Sequence, residues 1–93
     1  MNRDELLALW AVIKSHLQKA RATLPMTASN DRTIREYQDF IEHNELELAC
    51  EALEEFANEH PVRPDFWVSL GDAAEAMTMH DRAKLYRARS VGK

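Results

Sequence analysis

Apolar residues recur at helical spacing in five stretches of this chain and alternate at strand spacing in none. In the first stretch Leu6, Leu9, Ile13, Leu17, Ala20 and Leu24 fall on one stripe, flanked by Trp10. Asn2, with Glu5 three residues on, makes a capping box, so this helix is expected to run from there to Ala22 or Thr23. Pro25 ends it. Residues 24–31 are turn formers and are expected to be the main linker, with the most mobile backbone of the folded region. A short helix over residues 33–43 follows, with Ile34, Tyr37 and Ile41 inward and Thr33 or one of Ser29, Asn30 and Asp31 as its cap.

The third helix is expected from Glu45 to about Asn58, capped by Asn44 with Glu47 in the capping-box position. Its apolar stripe is Leu46, Ala49, Leu53, Phe56 and Ala57, widened by Leu48 and Ala52. Pro64 suits the first turn of a fourth helix whose inner face is Phe66, Trp67, Leu70, Ala73, Ala74 and Met77. Gly71 interrupts that face and costs about 1 kcal/mol relative to Ala, which predicts close approach of a neighbouring helix. A last helix over residues 81–90 turns Ala83, Tyr86 and Leu85 inward and leaves Gly92 and Lys93 to fray. The expected fold is therefore all-α: one domain over residues 1–93, a compact bundle of about five helices packed as antiparallel hairpins.

Spacing also raises an internal repeat. Ala49 and Ala83 are 34 residues apart. Trp67, Leu70, Gly71 and Ala83 match the tetratricopeptide pattern, and Ala49 and Pro61 match its Ala and closing Pro. Phe56 stands where that pattern has a small residue, Arg87 where it has an aromatic, and no third copy exists. The expectation is stacked helix pairs of this kind, not a true repeat array.

Charge changes the picture more than composition does. The net charge is −4. Residues 36–75 hold twelve acidic side chains and a single basic one, Arg63, whereas six basic residues precede this segment and five follow it. Either the acidic helices pack against the basic ends, or they present an acidic face to a basic partner. Glu36, Asp39 and Glu42 on the second helix and Glu47, Glu51, Glu54 and Glu55 on the third are the candidate partner-binding residues. Like charges at i,i+4, such as Glu47 and Glu51, cost about 0.2–0.5 kcal/mol per pair. Direct nucleic-acid binding by this face is disfavoured, because phosphates would be repelled.

Candidate chemistry is sparse. Cys50 is the single cysteine, so an internal disulfide is excluded and a reducing cytoplasm fits. The four histidines are widely separated, and no structural-metal motif, phosphate loop or nucleophile elbow is present. No enzyme, cofactor or metal is expected, nor a signal peptide or membrane span.

The segments Leu24-Pro25, Arg35-Glu36-Tyr37, Glu42-His43-Asn44-Glu45 and Leu48-Ala49 with Glu51 resemble the MafI-type immunity proteins of polymorphic toxin and contact-dependent inhibition systems. The resemblance covers about residues 24–79, with Glu47 standing where that pattern has Gly. It implies a small cytoplasmic antitoxin that binds one cognate toxin domain, often a basic nuclease. An acidic helix pair that mimics phosphate charge would give such binding a physical basis and a salt-dependent association rate. The alternative is a helical-hairpin adaptor that docks a peptide near Trp10, Phe66 and Trp67. Oligomeric state is not legible from the residues.

Overall fold

The computed structural model describes residues 2–91, and the expected fraying at Gly92 and Lys93 lies outside them. Five α-helices and one 3-10 turn make up the fold: α1 (Arg3–Ala22), η1 (Met26–Asn30), α2 (Arg32–Glu42), α3 (Leu46–Glu59), α4 (Pro64–Ala76) and α5 (His80–Val91). No strand occurs among the described residues. The Cα radius of gyration, 12.7 Å, is close to the about 12 Å of a compact chain this long.

Local signals set most boundaries. The Asn2 side chain accepts from the Glu5 N–H at 2.8 Å, and the Glu5 carboxylate accepts from the Asn2 N–H at 3.0 Å, closing the expected capping box. Asp31 wins the competition to cap α2, accepting at 2.8 Å from the Thr33 N–H. Thr33 itself is buried inside the helix. The linker is tighter than expected: η1 takes up five of its residues and buries Ala28. Pro64 opens α4 as its composition predicts.

One cap differs. Asn44 is not the N-cap of α3 but a left-handed residue, φ 58°, that ends α2. Its N–H donates to the Ile41 carbonyl at 3.2 Å, and the Glu45 N–H donates to the Phe40 carbonyl at 2.9 Å. This Schellman pair satisfies the orphan carbonyls of α2 and requires a conformation that an N-cap cannot share. α3 therefore starts at Leu46 with no side-chain cap, and Glu47 does not reach back.

The same turn recurs 34 residues on. Thr78 has φ 60°, its N–H donates to the Glu75 carbonyl at 2.9 Å, and the Met79 N–H donates to the Ala74 carbonyl at 2.9 Å. The hairpins α2–α3 and α4–α5 are thus two copies of one unit in register, with Ala49 and Ala83 both fully buried at its centre. A β-branched residue at positive φ is strained, whereas Asn tolerates the position.

Most of the join between the two hairpins comes from α1, which packs broadly on α4 and also touches α3; α3 and α4 meet only lightly. Leu17, Leu53, Phe66 and Leu70 are fully buried in the shared core. Gly71 faces α5, and a Cβ there would lie 3.0 Å from the Arg87 Cγ, so close helix approach is what its missing side chain permits. Leu6 and Leu9 do not join the core as their stripe predicts: Leu6 is exposed and Leu9 half-buried. α1 spans about 30 Å and α4 about 20 Å, so the start of α1 has no helix to cover it.

Candidate functional site

The seven candidate acids separate into two environments. α3 and α5 run parallel, and three side-chain rungs join them. Arg82 Nη1 donates to Glu51 at 3.2 Å, Tyr86 Oη donates to Glu54 at 2.7 Å, and Arg89 Nη1 donates to Asn58 at 2.8 Å. Arg82, Tyr86 and Arg89 follow one face of α5 in steps of four and three, opposite Glu51, Glu54 and Asn58 on α3 in steps of three and four. Arg89 also lies 3.9 Å over the Trp67 ring, a cation–π contact worth about 0.5–1 kcal/mol at an exposed site. Beneath the rungs the Cys50 thiol sits 3.9 Å from Tyr86 Oη. Burial pushes that thiol up to about 12, so it is a packing group and not a nucleophile. Burial likewise raises the Tyr86 hydroxyl, which stays protonated and donates.

Arg87 on α5 is also engaged. Arg87 bridges Asp72 at 3.0 Å and Glu75 at 3.1 Å on α4. On the other side of α3, Arg32 holds Glu36 at 2.8 Å and reaches Glu55 at 3.5 Å. Four of the seven candidates, Glu36, Glu51, Glu54 and Glu55, therefore have partners within the fold.

Asp39, Glu42 and Glu47 are different. All three are exposed, and no ion pair engages them among the described residues. Glu42 accepts only from Gln38, at 3.4 Å. Glu45, the N-cap position of α3, is exposed beside them. Its exposure follows from the left-handed turn at Asn44, which no hydrophobic periodicity reports. Residues 39–47 thus carry four carboxylates outside any ion pair among the described residues, and His43 lies among them. The Nδ1 of His43 lies 2.8 Å from the Asp39 carbonyl oxygen. That carbonyl holds the imidazole's pKa above its ordinary value, reinforced by Glu45, Asp39 and Glu42.

The position of these acids is unfavourable for the helix that carries two of them. α2 ends on Asp39 and Glu42 with no basic residue in its last turn. Acids at a helix C-terminus oppose its dipole, at about 0.3–1 kcal/mol each. Glu47 has the opposite relation, lying in the first turn of α3 where a carboxylate is favourable.

One depression of about 470 Å³ lies between η1 and the end of α3, lined by Pro25, Ala28, Asp31, Phe56, His60 and Pro61 among others. His60 stacks on Phe56 with ring centroids 4.3 Å apart, and its Nε2 is 3.2 Å from Asp31 Oδ2. This pair is a clasp between the end of α3 and the cap of α2. Asp31 Oδ1 is already taken by the Thr33 hydroxyl and N–H, which hold the carboxyl below its ordinary range with the hydroxyl bond foremost. Among the described residues no hydroxyl or thiol bonds His60, and no three potential ligands gather as a metal site. Nor is any described helix long and apolar enough to cross a membrane.

The aromatic groove expected for a peptide is closed. Phe66 and Trp67 are core residues at 0 and 5 % exposure, and Trp10 is half-buried. Tyr86 packs on Trp67 with centroids 5.7 Å apart, and Arg89 covers its ring. A scan of family models, a search of curated proteins and a search of solved structures each found no match.

Proposed function

We propose that this protein is an immunity protein that neutralises a basic bacterial toxin domain of the nuclease class by docking the α2–α3 turn against its cationic surface. The observation that carries this reading is the free carboxylate group of Asp39, Glu42, Glu45 and Glu47. Two of the four are placed against the α2 dipole, where folding alone gives no reason to keep them. The resemblance to MafI-type proteins runs through the same turn, at Glu42-His43-Asn44-Glu45. Glu51 and Glu54 have a structural role in this reading, and Glu36 and Glu55 contribute field more than contact. The action is stoichiometric binding in the cytoplasm, with no catalysis, cofactor or direct nucleic-acid contact.

The burial of Phe66 and Trp67 leaves those two rings unavailable to a peptide, which favours the immunity reading over the adaptor alternative. The test is binding of the full chain to a catalytically inactivated toxin-like domain encoded beside its gene, at low and high salt. Tight binding that weakens steeply with salt is expected. The triple variant D39K/E42K/E47K should lose about thirtyfold in affinity, taking about 0.7 kcal/mol for each exposed charge. Absence of binding by the folded protein removes the immunity reading. Salt-insensitive binding, unchanged in the triple variant, keeps that reading and removes the acidic turn from it.

A further inference from the structure

Between Leu6 and Ile13, helix α1 is apolar around its whole circumference. Residues 6–13, Leu-Leu-Ala-Leu-Trp-Ala-Val-Ile, contain no charged side chain over two turns. Only Ile13 is buried; Leu6, Leu7 and Val12 are 37, 48 and 48 % exposed. The C-terminal end of α1 lies beside the start of α4, where Thr23, Leu24 and Pro25 line one depression with Pro61, Val62 and Arg63. The helices are therefore antiparallel, and the longer one projects past the end of α4 at its own N-terminal end. A helix apolar around its circumference is normally interior, and a contiguous exposed patch of this kind marks an interface.

We propose that a second copy of this chain covers the overhang, the two α1 helices lying antiparallel about a two-fold axis. The charges select this occupant and this direction. Asp4, Leu7, Ala11 and Lys14 follow spacings of three, four and three, so they form one strip of the helix. Asp4, Leu7 and Ala11 are exposed and Lys14 is half-buried. Antiparallel pairing about the middle of the strip sets Asp4 of each copy beside Lys14 of the other, with Leu7 across from Ala11. Parallel pairing would set like charges together. The antiparallel arrangement also opposes the helix dipoles favourably, and it is isologous, the commonest symmetry of soluble oligomers.

Three turns of helix fall at the small end of specific interfaces, below about 1,200 Å² in total, so the dimer is expected to be weak and populated above about 10 µM. Sedimentation equilibrium of the full chain from about 10 to about 500 µM at low salt tests it. The mass should rise towards two copies. L7D should stay monomeric with unchanged helical circular dichroism, since Leu7 supports no core contact. D4K and K14D should each weaken the dimer about fivefold, because symmetry breaks both ion pairs at once, and D4K/K14D together should restore it. A monomer at every concentration overturns the proposal, as does a dimer indifferent to L7D or a double variant no stronger than the singles. If the chain is monomeric and L7D loses affinity for the toxin domain or for lipid vesicles, the overhang belongs to that occupant instead. None of the dimer measurements needs the toxin, so this inference and the immunity reading fail separately.

Discussion

Glu54 and Glu42 are both acidic residues on amphipathic helices, twelve positions apart, and the fold uses them in opposite ways. Glu54 faces α5 and accepts from Tyr86 at 2.7 Å in the rung that joins the two hairpins. Glu42 ends α2 in the wrong sense for its dipole and meets only Gln38. Along α3 and α5 the acids and bases neutralise one another and fix how one hairpin sits on the next. Around the α2–α3 turn the acids remain unanswered. Acidic composition is therefore not one property in this molecule: half of it is internal cement and half is external field. Which half a carboxylate belongs to depends on whether α5 or Arg32 can reach it.

That contrast breaks most visibly at the rungs. Tyr86→Phe removes a hydrogen bond to a charged acceptor and leaves the buried Cys50 thiol without its neighbour, a loss of about 2 kcal/mol. Glu54→Lys should cost at least as much, by setting a third cation beside Arg82 and Arg89 and leaving Tyr86 unanswered. Urea unfolding checks both, through a lower midpoint at constant slope. If Glu54→Lys unfolds no earlier than the native chain, the rungs are decoration, and Glu51 and Glu54 return to the list of candidate contacts.

The turn should behave in the reverse sense. Asp39→Asn with Glu42→Gln removes two charges that oppose the α2 dipole and repel each other, so stability should rise by about 1 kcal/mol. In the same variant affinity for a basic toxin domain should fall. A gain in stability with a loss of binding is the signature of residues kept for function. A loss of stability would mean that Asp39 or Glu42 has a structural partner, and the case for the turn as the docking surface would end.

A smaller difference separates the two copies of the hairpin turn. Asn44 and Thr78 hold the same left-handed place in the same pair of hydrogen bonds. Asn is tolerant there, and Thr is β-branched. Thr78→Asn should therefore stabilise the protein by about 0.5–1 kcal/mol, and Asn44→Thr should destabilise it by a similar amount. Thermal melts of the two variants should move in opposite directions. Movement in the same direction would show that the turns are not equivalent despite their spacing.

The helices were legible because burial is periodic. The α1 capping box, the Pro64 start and most of the inward faces of α3 and α4 follow from spacing alone, and the two Ala positions 34 residues apart mark the hairpin period; Leu48 and Leu85, expected inward, are 42 and 66 % exposed because no described helix packs over them. The Asn44 turn was not legible, because Asn serves equally as an N-cap and as a left-handed residue; only the unpaired carbonyls of α2 decide. Nor was the division of the acids. Helix periodicity places Glu51, Glu54 and Glu47 on one polar face, but only the parallel run of α5 along α3 determines which of them meet Arg82 and Tyr86. The overhang of α1 was hidden for a related reason: the stripe through Leu6 and Leu9 says which face is apolar, not how far the partner helix extends.

The finest test of the two environments uses the histidine at the turn. The Nδ1 of His43 lies against the Asp39 carbonyl, which can only accept, so the folded state favours a protonated nitrogen there. With its folded pKa raised by that carbonyl and then by Glu45, Asp39 and Glu42, His43 contributes stability that is complete below its unfolded value of about 6.5. That contribution is lost as pH rises through the higher folded value. Binding to a basic partner should follow the opposite course. Protonated His43 cancels part of the field of the four carboxylates, so affinity should strengthen as pH rises over the interval in which the stability contribution fades. His43→Ala should therefore flatten the slopes of both melting temperature and dissociation constant between about pH 5.5 and about pH 8. The rungs contain no histidine, so Glu51 and Glu54 can generate neither slope. A dissociation constant that stays flat across this window in the native protein would place the proposed toxin contact away from His43, and with it away from the turn.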